Sequence, residues 1–329
     1  MSEIRKNLIT GEYVILAPER AKRPSDFECP VKHEAPPERV DNCPFCPGNE
    51  DKTPPHNYIC PDSGAWTCRC IPNKFSALSS EGDMWRNEEG LKVVMAGVGR
   101  HEVVIETPYH NRCLAVLPDE AMKCYMSTCL HRFNAFYADP RVEHVILFKN
   151  HGAAAGTSLE HPHSQIVGLP MTPAQVRHRA QDACDYFDDK GSCLVCRTIE
   201  EEASDGRRVI METDNFLAFI PYAALSPFHT WIFPKRHMPC FTAITGTELD
   251  ELAVVLKTVL WKVYKGLCNP DYNYVIRSGA PSDCNADHLH WYVAIVPRVT
   301  KAAGFELGTG MYINPSIPEA SAEFLRDVK

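Results

Sequence analysis

The feature that most constrains this chain is an order of chemically reactive residues that occurs twice along its 329 residues. In the first half, Cys43-Pro-Phe-Cys46 is followed by His110 and then by His161-Pro-His163. In the second, Cys193-Leu-Val-Cys196 is followed by His237 and then by His288-Leu-His290. The intervening parts match in kind. A strand-like alternation over 102–107 precedes His110, and residues 119–137 carry Met122, Met126, Cys129, Phe133 and Phe136 at helical spacing. An apolar run at 145–148 then leads through a Gly/Ala turn to His161. In the second half, runs at 216–220 and 230–233 precede His237. Thr245-Gly-Thr-Glu248 reads as a capping box opening a helix with Leu249, Leu252, Leu256, Val259, Val263 and Leu267 on one face. Residues 272–276 read as the strand before His288. Laid together without a gap, 161–170 and 288–297 place His288 over His161 and Tyr292 over Gln165. The repeat predicts two α+β halves, 1–180 and 181–329, each an antiparallel sheet with helices, joined near 171–190.

Fifteen cysteines are an odd number, and no export signal opens the chain, so a disulfide framework is not expected. Isolated cysteines such as Cys60, Cys113, Cys124 and Cys129 read as small buried hydrophobes. The two Cys-x-x-Cys pairs are different, because that spacing suits zinc, which takes four ligands in a tetrahedron. Cys43, Cys46, His110 and one histidine of His161-Pro-His163 complete one set. Cys193, Cys196, His237 and one of His288 and His290 complete another. A closed Cys2His2 set leaves no position for water, so these metals are expected to hold structure.

The net charge of −8 and a pI near 6.0, with no long basic run, argue against nucleic acid as a partner. No run approaches the ~20 apolar residues a membrane span needs, and the charged start Met1-Ser-Glu-Ile-Arg-Lys6 shows no apolar signal core. A cytoplasmic protein is expected.

Alternate residues of a strand share a face, so His161 and His163 project together. A metal-bound His161 would hold His163 on that face without consuming it. The turn 150–158, with Gly156, Thr157 and Ser158, is small enough for backbone N–H groups to approach an anion, and its hydroxyls can donate to phosphate oxygens. Gln165 is a further neutral donor on the same face. A neutral imidazole facing such donors suits attack on phosphorus, with the donors stabilising the phosphoryl oxygens.

His161-Pro-His163-Ser-Gln165 resembles the active-site signature of the galactose-1-phosphate uridylyltransferases, a branch of the histidine-triad superfamily. The resemblance extends over nearly the whole chain through Arg20-Ala-Lys-Arg-Pro24, Cys43-Pro-Phe-Cys46, Pro72-Asn-Lys-Phe75, Asn150-x-Gly-Ala-Ala, Pro227-Phe228, Pro234-Lys-x-His237 and Gly304-Phe-Glu306. It implies a duplicated histidine-triad fold, a homodimer, and one active site per chain. His163 then resembles the nucleophile that becomes nucleotidylated, and Gln165 the residue that holds the transferred phosphoryl group. Asn150 and Ser158 resemble phosphate contacts, and Arg20, Arg23 and Asn73 resemble nucleotide contacts. Cys43, Cys46, His110 and His161 match the family's first metal site.

Some members hold a second metal with a Glu on the helix after His-Pro-His. Here 174–179 offers none, whereas Cys193 and Cys196 are present, which favours a second zinc site. For its last ligand the gapless repeat nominates His288, while a His-Trp pair seen in similar proteins nominates His290, which is preferred. The implied reaction is ping-pong transfer of a uridylyl group between UDP-glucose and a hexose 1-phosphate. The pattern Gly308-Thr-Gly310 is also similar to the ADP-glucose phosphorylases, in which inorganic phosphate takes the nucleotidyl group. A non-catalytic, zinc-stabilised nucleotide-binding protein is the alternative from another class.

Overall fold

The computed structural model describes residues 1–20, 36–61 and 64–329, with the Arg20 side chain excluded. Its centre is one antiparallel sheet of ten strands. The first half supplies β1 (Tyr58–Cys60), β2 (Cys68–Pro72), β3 (Arg100–Ile105), β4 (His144–His151) and β5 (His163–Leu169). The second supplies β6 (Val209–Glu212), β7 (Phe216–Phe219), β8 (Thr230–Pro234), β9 (Tyr272–Arg277) and β10 (Tyr292–Pro297). The order across the sheet is β6-β7-β8-β10-β9-β4-β5-β3-β2-β1, a palindrome about the β9–β4 junction. The two halves are therefore repeats related by an approximate two-fold, merged edge to edge through pairs such as Val275 with Phe148 and Asn273 with Asn150. Pairing the halves hides what would otherwise be two exposed strand edges.

Two long helices cover one face. Helix α1 (Asp119–Tyr137) has the bounds its spacing predicts, and turns Met122, Met126, Cys129, Phe133 and Phe136 into the core. Its counterpart, which becomes α4 in chain order (Gly246–Gly266), starts at the expected capping box: Thr245 Oγ1 accepts the Glu248 N–H, and Glu248 accepts the Thr245 N–H. Leu249, Leu252, Leu256, Val259 and Val263 are buried beneath it, and Leu267 follows its end. The join near 171–190 contains helix α2 (Ala174–Lys190), and α3 (Leu194–Asp205) follows directly. No helix among the described residues is long and apolar enough to cross a membrane.

The second face differs between the halves. Over β7, β8 and β10 it is closed by an aromatic layer of Phe219, Trp231, Phe233 and Tyr292 packed on Val195 and Ile199 of α3. Over β5 and β3 it carries His163, Gln165 and His101 instead.

One expectation fails. Cys60 and Cys124 are joined in a disulfide, with their Cα atoms 6.2 Å apart, inside the usual range for such a bond. The end of β1 packs on the first turns of α1 and brings together two thiols separated by 64 residues.

Candidate active site and metal centres

Each Cys-x-x-Cys meets histidines from its own half of the chain. Cys43, Cys46, His110 and His161 form one buried cluster, and Cys193, Cys196, His237 and His290 form the other, each with its ligand atoms within 4.8 Å of one another. His161 Nδ1 lies 3.7 Å from Cys43 Sγ and 3.5 Å from Cys46 Sγ, and His110 Nδ1 is 3.6 Å from Cys46 Sγ. In the second cluster, His237 and His290 Nδ1 lie 3.4 and 3.6 Å from Cys196 Sγ. A tetrahedral zinc with bonds of about 2.3 Å to sulfur and 2.0–2.1 Å to nitrogen has S···N edges of about 3.6 Å, so the donor sets fit that geometry.

The ring tautomers agree. His161 Nε2 lies 2.8 Å from the Thr107 carbonyl and His290 Nε2 lies 2.9 Å from the Pro234 carbonyl. A carbonyl only accepts, so both Nε2 atoms carry the proton and both Nδ1 lone pairs point at the sulfurs.

His290, and not His288, therefore stands where His161 stands. That corrects the gapless repeat by two residues: Tyr292 takes the place of His163, and Ala294 that of Gln165. The strand registers agree, since Phe148 pairs with Gln165 across β4 and β5, while Val275 pairs with Ala294 across β9 and β10.

His163 is held in the opposite tautomer. Its Nδ1 lies 2.8 Å from the His161 carbonyl, so Nδ1–H donates and the Nε2 lone pair is left unprotonated. Phe45, inside the first Cys-x-x-Cys, packs its edge on the ring with centroids 5.6 Å apart. Burial lowers the pKa of His163 from its ordinary value, and the nearby Lys149 ammonium adds to the effect. The ring is thus a buried, neutral imidazole with a fixed lone pair, which is what nucleophilic attack requires.

Gln165 follows on the same face of β5. His101, on β3, has Nε2 2.8 Å from Gln165 Oε1, and its Nδ1 accepts the Ala77 N–H at 3.4 Å. With the proton on Nε2, His101 holds the carboxamide oxygen and leaves the Gln165 NH2 group to donate elsewhere. Asn73 Nδ2 lies 3.0 Å from the same His101 nitrogen, and Asn73 Oδ1 accepts the Phe75 N–H. His101 is absent from the residues that the motifs single out. Its signal lies in the alternation, because 101, 103 and 105 share a face of β3 that pairs with 163, 165 and 167 of β5.

The turn before His161 is fixed from the other half of the chain. Asn273 Nδ2 donates to Asn150 Oδ1 at 2.8 Å and to the Ala155 carbonyl at 2.9 Å. Asp271 accepts the Ala154 N–H at 2.5 Å. Gly152 adopts φ +84°, and a Cβ there would stand 1.8 Å from Asp271 Oδ1, so only glycine fits. Gly156, φ +90°, and Ser158 are exposed, whereas the Thr157 hydroxyl donates to the Leu159 carbonyl within the turn. The Arg20 side chain and all of Arg23 lie outside the described residues.

Beneath the site is a polar network invisible to sequence spacing. Lys149 Nζ lies 2.8 and 2.7 Å from the two Glu106 carboxylate oxygens and donates to the His163 carbonyl at 3.3 Å. Ser164, Tyr125 and Tyr274 complete the network. Lys149 is 1 % exposed and Glu106 not at all, so the pair stands or falls together.

Similarity to known proteins extends over nearly the whole chain. Residues 1–173 match the N-terminal domain of galactose-1-phosphate uridyl transferase, and residues 179–328 match the C-terminal domain. The chain is 36% identical to the ADP-glucose phosphorylase of Arabidopsis thaliana, covering 99% of this chain and 93% of that one. It is 28% identical to the galactose-1-phosphate uridylyltransferase of Thermotoga maritima, over 100% and 99% of the two chains. Among solved structures, that of an Arabidopsis thaliana ADP-glucose phosphorylase with bound ADP-glucose superimposes with a TM-score of 0.84 at 33% identity, covering 100% and 99%. A uridylyltransferase structure superimposes at 0.76 and 28%, covering 100% and 98%. With both domains matched in order, and the repeat architecture shared end to end, the chain belongs to the galactose-1-phosphate uridylyltransferase family.

Proposed function

We propose that the chain is a nucleotidyltransferase working in two half-reactions through His163. The observation that carries this reading is the tautomer of His163: its Nδ1–H is donated to the His161 carbonyl, so Nε2 is left as the unprotonated nucleophile. In the first step Nε2 attacks the α-phosphorus of UDP-glucose. An N–P bond forms, the bond to the bridging oxygen breaks, and glucose 1-phosphate leaves with that oxygen and its electron pair. In the second step a phosphate oxygen of galactose 1-phosphate attacks the same phosphorus, releasing His163 and UDP-galactose. The Gln165 amide donates to the non-bridging oxygens in both steps. Asn150 and Ser158 are read as the side-chain contacts to phosphate, on a turn whose shape Gly156 and Thr157 hold by donating to the Ala153, Gly152 and Leu159 carbonyls, and Arg20, Arg23 and Asn73 hold the nucleoside.

The two Cys2His2 clusters are read as zinc sites, two per chain. Zinc there supplies structural rigidity, since all four positions are taken by protein. His161 then anchors the carbonyl that orients His163. The reading keeps two halves, 1–180 with the reacting site and 181–329 without, a homodimer, and a cytoplasmic setting.

A second reading is favoured by a specific observation. Identity and structural likeness are both greater to the Arabidopsis ADP-glucose phosphorylase than to the Thermotoga uridylyltransferase or to the superimposed uridylyltransferase structure. In that reading the donor is ADP-glucose, the histidine is adenylylated, and inorganic phosphate takes the group. Intact-mass measurement after separate exposure to UDP-glucose and to ADP-glucose, without acceptor, decides the base. Addition of galactose 1-phosphate or inorganic phosphate to the adduct then decides the acceptor. Absence of any adduct with either donor would remove both readings and leave the binding-protein alternative.

A further inference from the structure

Following the approximate two-fold from the active site leads to a second cavity. Register equates His163 with Tyr292 and Asn150 with Arg277, because Arg277 pairs with Tyr292 at the mouth of β9 and β10. The short helical turn Ala153–Ala155 likewise corresponds to Pro281–Asp283. At this position a cavity of about 320 Å³ opens, floored by Arg277 and Tyr292, walled by Ser278–Ala280, and roofed by Arg177, Arg179 and Val176 of α2.

Among its lining residues arginines outnumber carboxylates, Arg177, Arg179 and Arg277 against Asp283. The Arg277 side chain makes no hydrogen bond or ion pair with any described residue. The Tyr292 hydroxyl is buried without a partner in a residue only 5% exposed, and Arg179 Nη1 is likewise buried and unpartnered. Arg179 has one carboxylate, Glu12, at 3.4 Å. Asp283 also lines the cavity, but its Oδ2 accepts the Ala280 N–H of its own turn. Natural interiors rarely leave buried polar atoms such as the Tyr292 hydroxyl and Arg179 Nη1 without a partner.

We propose that this cavity is a second anion site, which binds a small phosphate monoester without reacting with it. The guanidinium of Arg277, with Arg179 beside it, would take the phosphate in charge-assisted hydrogen bonds, and the Tyr292 hydroxyl would donate a further one. Apolar walls from Ile9, Ile146, Val176, Ala180 and Leu194 leave room for a sugar or base. Tyr292 replaces the neutral imidazole nucleophile of the other half, so the ligand stays intact. Burial lowers the pKa of Arg277 from its ordinary value; Tyr292 opposes the fall, Arg179 adds to it and Glu12 opposes it.

The test uses the full-length protein and glucose 1-phosphate in titration calorimetry. Two sites per chain are expected. In Arg277→Gln one site should weaken by about tenfold or more, because a charge-assisted bond is lost, while nucleotidyl transfer at saturating substrate is retained. Inorganic phosphate should compete at the affected site. Phosphate should raise the Tm of the parent more than that of Arg277→Gln, whose own Tm without ligand should equal or exceed the parent's. Tyr292→Phe, which removes a single atom, should weaken the same site if Arg277→Gln does not fold. One site in the parent, or two unchanged sites in the folded variants, would overturn the proposal. So would glucose 1-phosphate binding that inorganic phosphate cannot displace.

Discussion

The Nδ1–H of His163 is donated to the carbonyl of His161, while the Nδ1 of His161 points at the sulfurs of Cys43 and Cys46. Two residues apart in sequence, the rings hold opposite tautomers and so have opposite chemical fates. His163→Asn should abolish the covalent adduct while leaving metal content and Tm nearly unchanged. His161→Asn should lower the metal content as well as the activity, because it removes a ligand. Peptide mapping of the trapped adduct, together with elemental analysis, separates the cases. A nucleotidyl group on His161 would invert the assignment.

Gln165 faces the site with its oxygen already held by His101. Gln165→Ala should slow formation and breakdown of the adduct together by about 10²–10³, the usual loss for one oxyanion donor. His101→Ala should slow both by less, since the amide remains but is free to rotate. Rapid-quench measurement of each half-reaction reads this directly. A Gln165→Ala enzyme with only a raised KM would contradict a role for this amide in the transition state.

The Lys149–Glu106 pair lies sealed under the strand that carries His163. Lys149→Met should cost about 3–5 kcal/mol of stability, because it leaves a buried carboxylate uncompensated. Adding Glu106→Gln should recover a substantial part of that loss, since an amide needs no counter-charge. Urea unfolding of the two single variants and the double variant gives the coupling. Additive losses would mean that the two groups act independently.

Burial lowers the pKa of His163 below the ordinary histidine value of 6.5. The neutral ring is the reacting form, so the acid limb of adduct formation should fall with a midpoint below 6.5. The unfolded chain takes up this proton first as the pH drops. His163 therefore also makes the fold less stable as the pH falls through 6.5 towards the lowered value. Single-turnover rates between pH 5 and 8, with Tm recorded alongside, test both signs. An acid limb above 6.5 would require a protonated ring in the resting enzyme.

Much of the fold and of the site is legible in the sequence. The Cys-x-x-Cys pairs, helix α1 and the capping box of α4 are each readable from short-range spacing, because each rests on a local rule, whereas His110 and His237 are readable through the order repeated in both halves. The slip of two residues over His288 has a different origin. A strand preserves its face under a shift of two, so His-x-His matches itself in either register. The cluster of Cys193, Cys196 and His237, which closes on His290 and not on His288, distinguishes the two. The Cys60–Cys124 bond, the Lys149–Glu106 pair and the hold of His101 on Gln165 all join residues more than 40 apart in sequence. Nothing local marks such partners; the sheet chooses them.

The seam between β4 and β9 makes the two halves of the gene product unable to live apart. Cut free, residues 1–173 would present β4 as a bare edge and would lose Asn273 and Asp271, the side chains that shape the turn beside His163. A nick within α2, which buries none of its own residues, is a different injury: both fragments would remain bound along the seam and the site would survive. Each half serves the other as a mould, and the half that lost its nucleophile still casts the half that kept one.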